Sequence, residues 1–264
     1  MIAQSNGIDI HYETTGTQGP WLTFSHSLGA DVSMWRPQIE YFARNFRVLA
    51  LDTRGHGKTS APAGAYSLDT LADDLHGLLA SLEIRTTHFV GLSMGGMIGQ
   101  TFALRHPGVF SSITLADTTS QYGAEAQALW ASRVKTANTE GMEPLVEGSI
   151  GRWFTAPFRA DPANAGLLAA VADMIRTTPG AGYAGCAAAI AAINLTERLG
   201  DIDAPMLVLC GADDMATPPA MSEVIAARAR KAQLVLIPEA AHISNLEQPA
   251  AFNRALDAFL ARHA

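Results

Sequence analysis

Six leucines, Leu68, Leu71, Leu75, Leu78, Leu79 and Leu82, recur at three- and four-residue spacing and mark an amphipathic helix. Short apolar runs bounded by turn residues lie around it: 21–24, 46–51, 110–116, 206–210 and 233–237, each read as a buried strand. Phe89 and Val90 form another such run, and a helical pattern follows at once and stops near His106-Pro107. Ser33 stands as N-cap of a helix through Trp35, Ile39 and Phe42, and further helices are expected over 219–230 and 250–262. Strands alternating with helices predict an α/β fold, a mostly parallel central sheet with helices on both faces. Residues 2–16 read instead as a hairpin turning at Asn6-Gly7, whose second strand, 8–15, has the alternation of a partly exposed sheet edge.

The alternation stops from about Thr119 to Glu197. Segments around 124–136, 144–153, 163–176 and 183–194 look helical, separated by glycine and proline, with alanine-rich faces suited to close helix packing. The expected organisation is a core over 1–118, an inserted helical lid over 119–197, and the rest of the core over 198–264.

The chain's 264 residues, 48% hydrophobic and 16% charged, suit one large α/β unit or two smaller ones, with little sign of disorder. A net charge of −7 offers nothing to nucleic acid or an anionic membrane surface. No apolar run has the length of a membrane span, and the first residues lack the basic and apolar regions of a signal peptide. Cys186 and Cys210 sit among small or apolar neighbours and read as buried free thiols, consistent with a reducing cytoplasm. No His/Cys cluster has metal-ligand spacing, so no cofactor is expected. The oligomeric state is not legible.

Gly91-Leu92-Ser93-Met94-Gly95 follows the Phe89-Val90 strand and opens a helix, the strand–turn–helix context of a G-x-S-x-G nucleophile elbow. Ser93 must sit in a strained turn, so the residues two positions away must lack crowding side chains. The helix N-terminus then aims backbone N–H groups at any oxyanion formed there. A serine nucleophile needs a base, and the base needs an orienting carboxylate. Asp214 follows the 206–210 strand and His242 follows the strand ending at Ile237, in the required order of acid then histidine; Asp213 is the rival acid. The other histidines take structural readings: His56 in a Gly-rich turn, His11 on an edge strand, and His26 bracing the oxyanion loop. The oxyanion hole is expected from the Met94 N–H and the Leu28 N–H of His26-Ser27-Leu28.

These motifs resemble the α/β-hydrolase superfamily over nearly the whole chain. More closely, Ser27-Leu-Gly-Ala-Asp-Val-Ser-Met-Trp35, Asp52-Thr-Arg-Gly-His-Gly57, Gly91-Leu-Ser-Met-Gly-Gly-Met97, Gly211-Ala-Asp-Asp-Met-Ala-Thr-Pro-Pro219 and Ala241-His-Ile-Ser-Asn-Leu-Glu-Gln-Pro249 look like those of the 3-oxoadipate enol-lactonases. Many superfamily members have His-Gly where this chain has His26-Ser27. The resemblance implies an esterase-type enzyme of aromatic-compound degradation, with Ser93, Asp214 and His242 catalytic and a small ester or lactone as substrate. The enol-lactone is anionic and the chain acidic, so a local cation is required. The 119–197 segment supplies Arg133, Lys135, Arg152, Arg159 and Arg176. Arg133 lies one helical turn from Trp130 and Arg152 precedes Trp153, so these four are the candidate substrate-binding residues. The competing readings are a related esterase or perhydrolase of small acyl esters, or a ligand receptor on the same fold without turnover.

Overall fold

The computed structural model describes residues 1–263. Strands β1 (Ile2–Ser5), β2 (Ile8–Thr15), β3 (Trp21–Ser25), β4 (Arg47–Leu51), β5 (Thr87–Leu92), β6 (Phe110–Ala116), β7 (Met206–Gly211) and β8 (Ala232–Ile237) form one sheet in the order β1-β2-β4-β3-β5-β6-β7-β8. The β1–β2 and β2–β4 pairs are antiparallel, and every pair from β4 to β8 is parallel. All six residues of β5 are buried. Successive side chains of a strand point to opposite faces, so both faces of the sheet are covered at its centre.

The covering helices are α1 (Arg36–Phe42), α2 (Leu68–Ser81), α3 (Met94–Arg105), α9 (Pro219–Arg228) and α11 (Pro249–Leu260), with α10 (Ser244–Glu247) a single turn before the last. α2 packs on α3, and α1 on α11. The leucine period of α2 is buried at Leu71, Leu75, Leu78 and Leu79, and Ser67 Oγ caps it by accepting the Thr70 N–H at 3.0 Å.

Between β6 and β7 the chain forms α4 (Glu125–Thr139), α5 (Glu143–Trp153), α6 (Ala156–Ala160), α7 (Ala165–Thr177) and α8 (Gly180–Ala191). α4 packs on α8 and α5 on α7. A neck closes the base of this insertion: Gln121 and Asn194 form a β-bridge, and the Leu195 N–H donates to the Ser120 carbonyl at 2.8 Å. No helix among the described residues is long and apolar enough to cross a membrane.

The pattern differs from the sequence expectation in three places. A 3-10 turn, Val32–Trp35, precedes α1, and its cap is Asp31, whose Oδ1 accepts both the Ser33 N–H at 2.8 Å and the Ser33 hydroxyl at 2.6 Å, so the serine lies inside the turn and not at its start. β1, not β2, is the outer strand, because β2 pairs with β1 along Ile8–His11 and with β4 along Tyr12–Thr15. Finally, α6 and α10 are too short to show a helical period.

Candidate active site

The loop after β5 is a turn that few residues tolerate. Ser93 has φ 54° and ψ −113°, a strained conformation for a residue with a Cβ. Its N–H donates to the Ala116 carbonyl at 2.8 Å and its carbonyl accepts the Thr118 hydroxyl at 2.7 Å, so the end of β6 holds the strain in place. A Cβ on Gly91 would lie 2.2 Å from the Gly95 carbonyl oxygen, and one on Gly95 2.1 Å from that of Ser25. Both glycines are therefore required by close approach of backbone to backbone.

Ser93 Oγ donates to His242 Nε2 at 2.9 Å, and His242 Nδ1 donates to Asp214 Oδ2 at 2.9 Å. Asp214 also accepts the Ala216 N–H at 2.7 Å, the Thr217 N–H at 3.0 Å and the Thr217 hydroxyl at 2.8 Å. Burial opposes the charged forms of both partners. Each overcomes it through the other, so Asp214 lies below its ordinary pKa and His242 above 6.5. Asp213, the rival acid, is exposed and makes no contact with the imidazole.

Every backbone N–H beside His242 is tied down. The Ala241 N–H donates to Glu247 Oε2 at 2.7 Å, and the Ile243 N–H to the Trp153 carbonyl at 3.1 Å. Glu247 Oε1 in turn accepts the Thr155 N–H and hydroxyl, linking the histidine loop to the insertion. Asp117, left-handed at φ 45°, joins the acid and histidine loops: Oδ1 accepts the Gly211 N–H at 2.7 Å, and Ser244 Oγ lies 2.6 Å from Oδ2. Burial, with the nearby Asp214 charge added, pushes the Asp117 carboxyl up to about 8. Asp117, Glu247 and Thr217 were not singled out from the sequence. Asp117 follows a strand in a turn-like Asp-Thr-Thr, and only Glu247 and Thr217 lie within motifs quoted for the resemblance.

Asp117, Cys210 and Asp214 offer donor atoms within 4.8 Å of one another. This is a poor metal cradle: the carboxylate oxygens already have partners, and burial raises the Cys210 thiol so that it stays protonated.

Ser93 and His242 open onto a cavity of about 110 Å³ bordered also by Ser27, Leu28, Tyr122, Trp130, Arg133, Arg152, Trp153, Tyr183 and Met215. The Met94 N–H starts α3 beside the nucleophile, and the Leu28 N–H follows β3; neither has a hydrogen-bond partner among the described residues. Arg133 stacks over Trp130, 4.8 Å from the ring centre, and the Trp130 Nε1–H is buried without an acceptor. Burial lowers the Arg152 pKa, and the Arg133 charge lowers it further. Neither arginine pairs with an acid among the described residues. Arg176 is held by Glu143 and Asp173 on the surface, Arg159 donates to the Phe154 carbonyl beside a neighbouring groove, and Lys135 is exposed.

A family model described as the alpha/beta hydrolase fold matches residues 20–249. The chain is 37% identical to 3-oxoadipate enol-lactonase 2 of Acinetobacter baylyi over 97% of its own length and 94% of that protein. The solved enol-lactonase of Burkholderia xenovorans superposes with a TM-score of 0.95 at 37% identity, covering 99% of this chain and all of that one. A thermophilic esterase of Thermogutta terrifontis, solved with malate bound, gives 0.91 at 30% identity, with 100% and 97% covered. With that family model matching residues 20–249 and relatives 37% identical over nearly its whole length, this chain belongs to the α/β-hydrolase family.

Proposed function

We propose that this chain is a serine-dependent carboxylic-ester hydrolase that opens 3-oxoadipate enol-lactone to 3-oxoadipate during the breakdown of aromatic compounds in the cytoplasm. The observation that carries the substrate class is a pair of acid-free arginines, Arg133 and Arg152, bordering the cavity that holds Ser93. Two guanidiniums bordering one small cavity repel each other, as the lowering of the Arg152 pKa by burial and then by Arg133 reflects, and an anion between them offsets that repulsion. Arginine's planar fork suits a carboxylate, and the orphaned Trp130 Nε1–H adds a third donor. Two of the named relatives are enol-lactonases, one of them named for 3-oxoadipate enol-lactone, and the resemblance implies a carboxymethyl group on that ring.

The steps follow from the hydrogen bonds. Ser93 Oγ attacks the lactone carbonyl while its proton passes to His242 Nε2. Asp214 holds Nδ1–H and stabilises the imidazolium. The Leu28 and Met94 amides receive the oxyanion. Collapse breaks the ring C–O bond and frees the enolate, which takes the proton from the His242 imidazolium, restoring the neutral base, and the resulting enol tautomerises to the ketone. Water, deprotonated by His242, then cleaves the acyl–serine bond and returns the proton to Ser93.

The test is kcat/KM for the carboxymethyl enol-lactone beside an uncharged lactone of similar size, in wild type, Arg133→Ala and Arg152→Ala. A carboxylate contact in a closed site contributes about 2–5 kcal/mol, so at least one variant should lose that much on the charged substrate alone. Equal losses on both lactones would favour a general esterase of small acyl esters. A single bound ligand without turnover would favour a receptor.

A further inference from the structure

The geometry points to the Ser27 hydroxyl as a third donor to the oxyanion, beside the Leu28 and Met94 amides; this rests on acyl transfer at Ser93. Ser27 is 1% exposed and borders the cavity that holds Ser93 and His242. Its backbone is fully committed: the carbonyl accepts His26 Nδ1–H at 2.7 Å and the Ala30 N–H at 3.2 Å, and its N–H meets Met34 Sδ at 3.5 Å. Its hydroxyl, by contrast, makes no hydrogen bond to any described residue. The oxygen is not sealed off from solvent although the residue is 1% exposed, and the space it can reach is the reaction cavity that Ser27 borders.

The loop that carries Ser27 is held rigid. His26 Nε2 accepts the Thr53 N–H at 2.9 Å, and His56 Nε2 accepts the Gly29 N–H at 2.9 Å. Each imidazole is therefore an acceptor at Nε2 and must be uncharged. Burial enforces this by lowering both, with His56 brought to about 3. A donor preorganised on such a loop needs no rearrangement when charge develops on the carbonyl oxygen. That is the condition under which a hydrogen bond favours the transition state over the ground state.

Ser27→Ala in the whole enzyme is the direct test, with a chromogenic acyl ester and the enol-lactone as substrates. The expected result is a kcat lower by about tenfold or more with KM changed by less than about twofold. Affinity for a boronic acid, which forms a tetrahedral adduct with Ser93, should fall in parallel. Tm should not fall, because no hydrogen bond within the chain is lost. Ser27→Gly should behave like Ser27→Ala in kcat. A kcat within twofold of wild type, an unchanged boronate affinity, or a kcat loss accompanied by a fall in Tm would each overturn the assignment. Labelling by a fluorophosphonate separates the two readings. If wild type is labelled at Ser93 and Ser27→Ala is as active as wild type, only the Ser27 role fails; if wild type is not labelled there, acyl transfer at Ser93 fails and takes the Ser27 role with it.

Discussion

Replacing Asp214 by asparagine changes one atom of a carboxylate that has four hydrogen-bond donors around it. In the native site Oδ1 accepts the Ala216 and Thr217 N–H groups, and Oδ2 accepts the Thr217 hydroxyl and His242 Nδ1–H. The asparagine oxygen can keep the two backbone donors. Its NH2 must then face Thr217 and His242, where it meets Nδ1–H donor to donor. The imidazole escapes by moving its proton to Nε2, which faces Ser93 Oγ at 2.9 Å and can then no longer accept the serine proton. Such a tautomer switch lowers kcat about 10⁴-fold when the geometry is otherwise intact. Loss of the charge also leaves any imidazolium uncompensated, and the buried mismatch costs about 1–3 kcal/mol of stability. Asp213→Asn, on an exposed side chain, should stay within about 0.5 kcal/mol of wild type in stability and keep its activity. The assay is steady-state hydrolysis of an activated ester beside a denaturant melt of all three proteins. An Asp214→Asn enzyme that retains a tenth of wild-type kcat would refute the reasoning, as would an equal loss in Asp213→Asn.

Other expectations follow from the same geometry. His242 must be neutral to take the serine proton and its pKa lies above 6.5, so kcat/KM should decline as pH falls through a value above 6.5; an acid limb well below 6.5 would contradict this. The Asp117 carboxyl stays protonated in the folded chain up to about pH 8 but ionises near 3.8 when unfolded, so the folded state binds the extra proton and stability falls as pH rises across that window. Asp117→Asn removes that slope: its Tm relative to wild type should rise between pH 4 and 8, and a constant difference would contradict the assignment. Activity should survive exhaustive dialysis against a chelator; a loss restored by a divalent ion would show that a metal takes part.

How much of this was legible in the sequence depended on whether the signal was local. β6 and the buried face of α2 follow from runs and periods within a few residues, and the elbow from a five-residue motif whose glycines face backbone. Ser93, Asp214 and His242 could be singled out because each lies on the loop that follows a strand. Asp117 could not, since its role is to join Gly211 and Ser244, 94 and 127 residues away. The same holds for His56: its turn-rich setting says nothing of the Gly29 N–H it accepts across 27 positions. Among the insertion's cations, the neighbouring Trp130 and Trp153 set Arg133 and Arg152 apart, and these two border the cavity whereas two surface acids occupy Arg176.

The most direct measurement is intact-protein and peptide mass spectrometry of enzyme quenched during turnover of a slowly deacylating ester. The expected result is one acyl group per chain, located on Ser93 and absent from Ser93→Ala, which should be folded and inactive. Turnover with no acyl group on Ser93, or a Ser93→Ala enzyme that still hydrolyses the ester at the wild-type rate, would contradict serine-dependent hydrolysis by this chain.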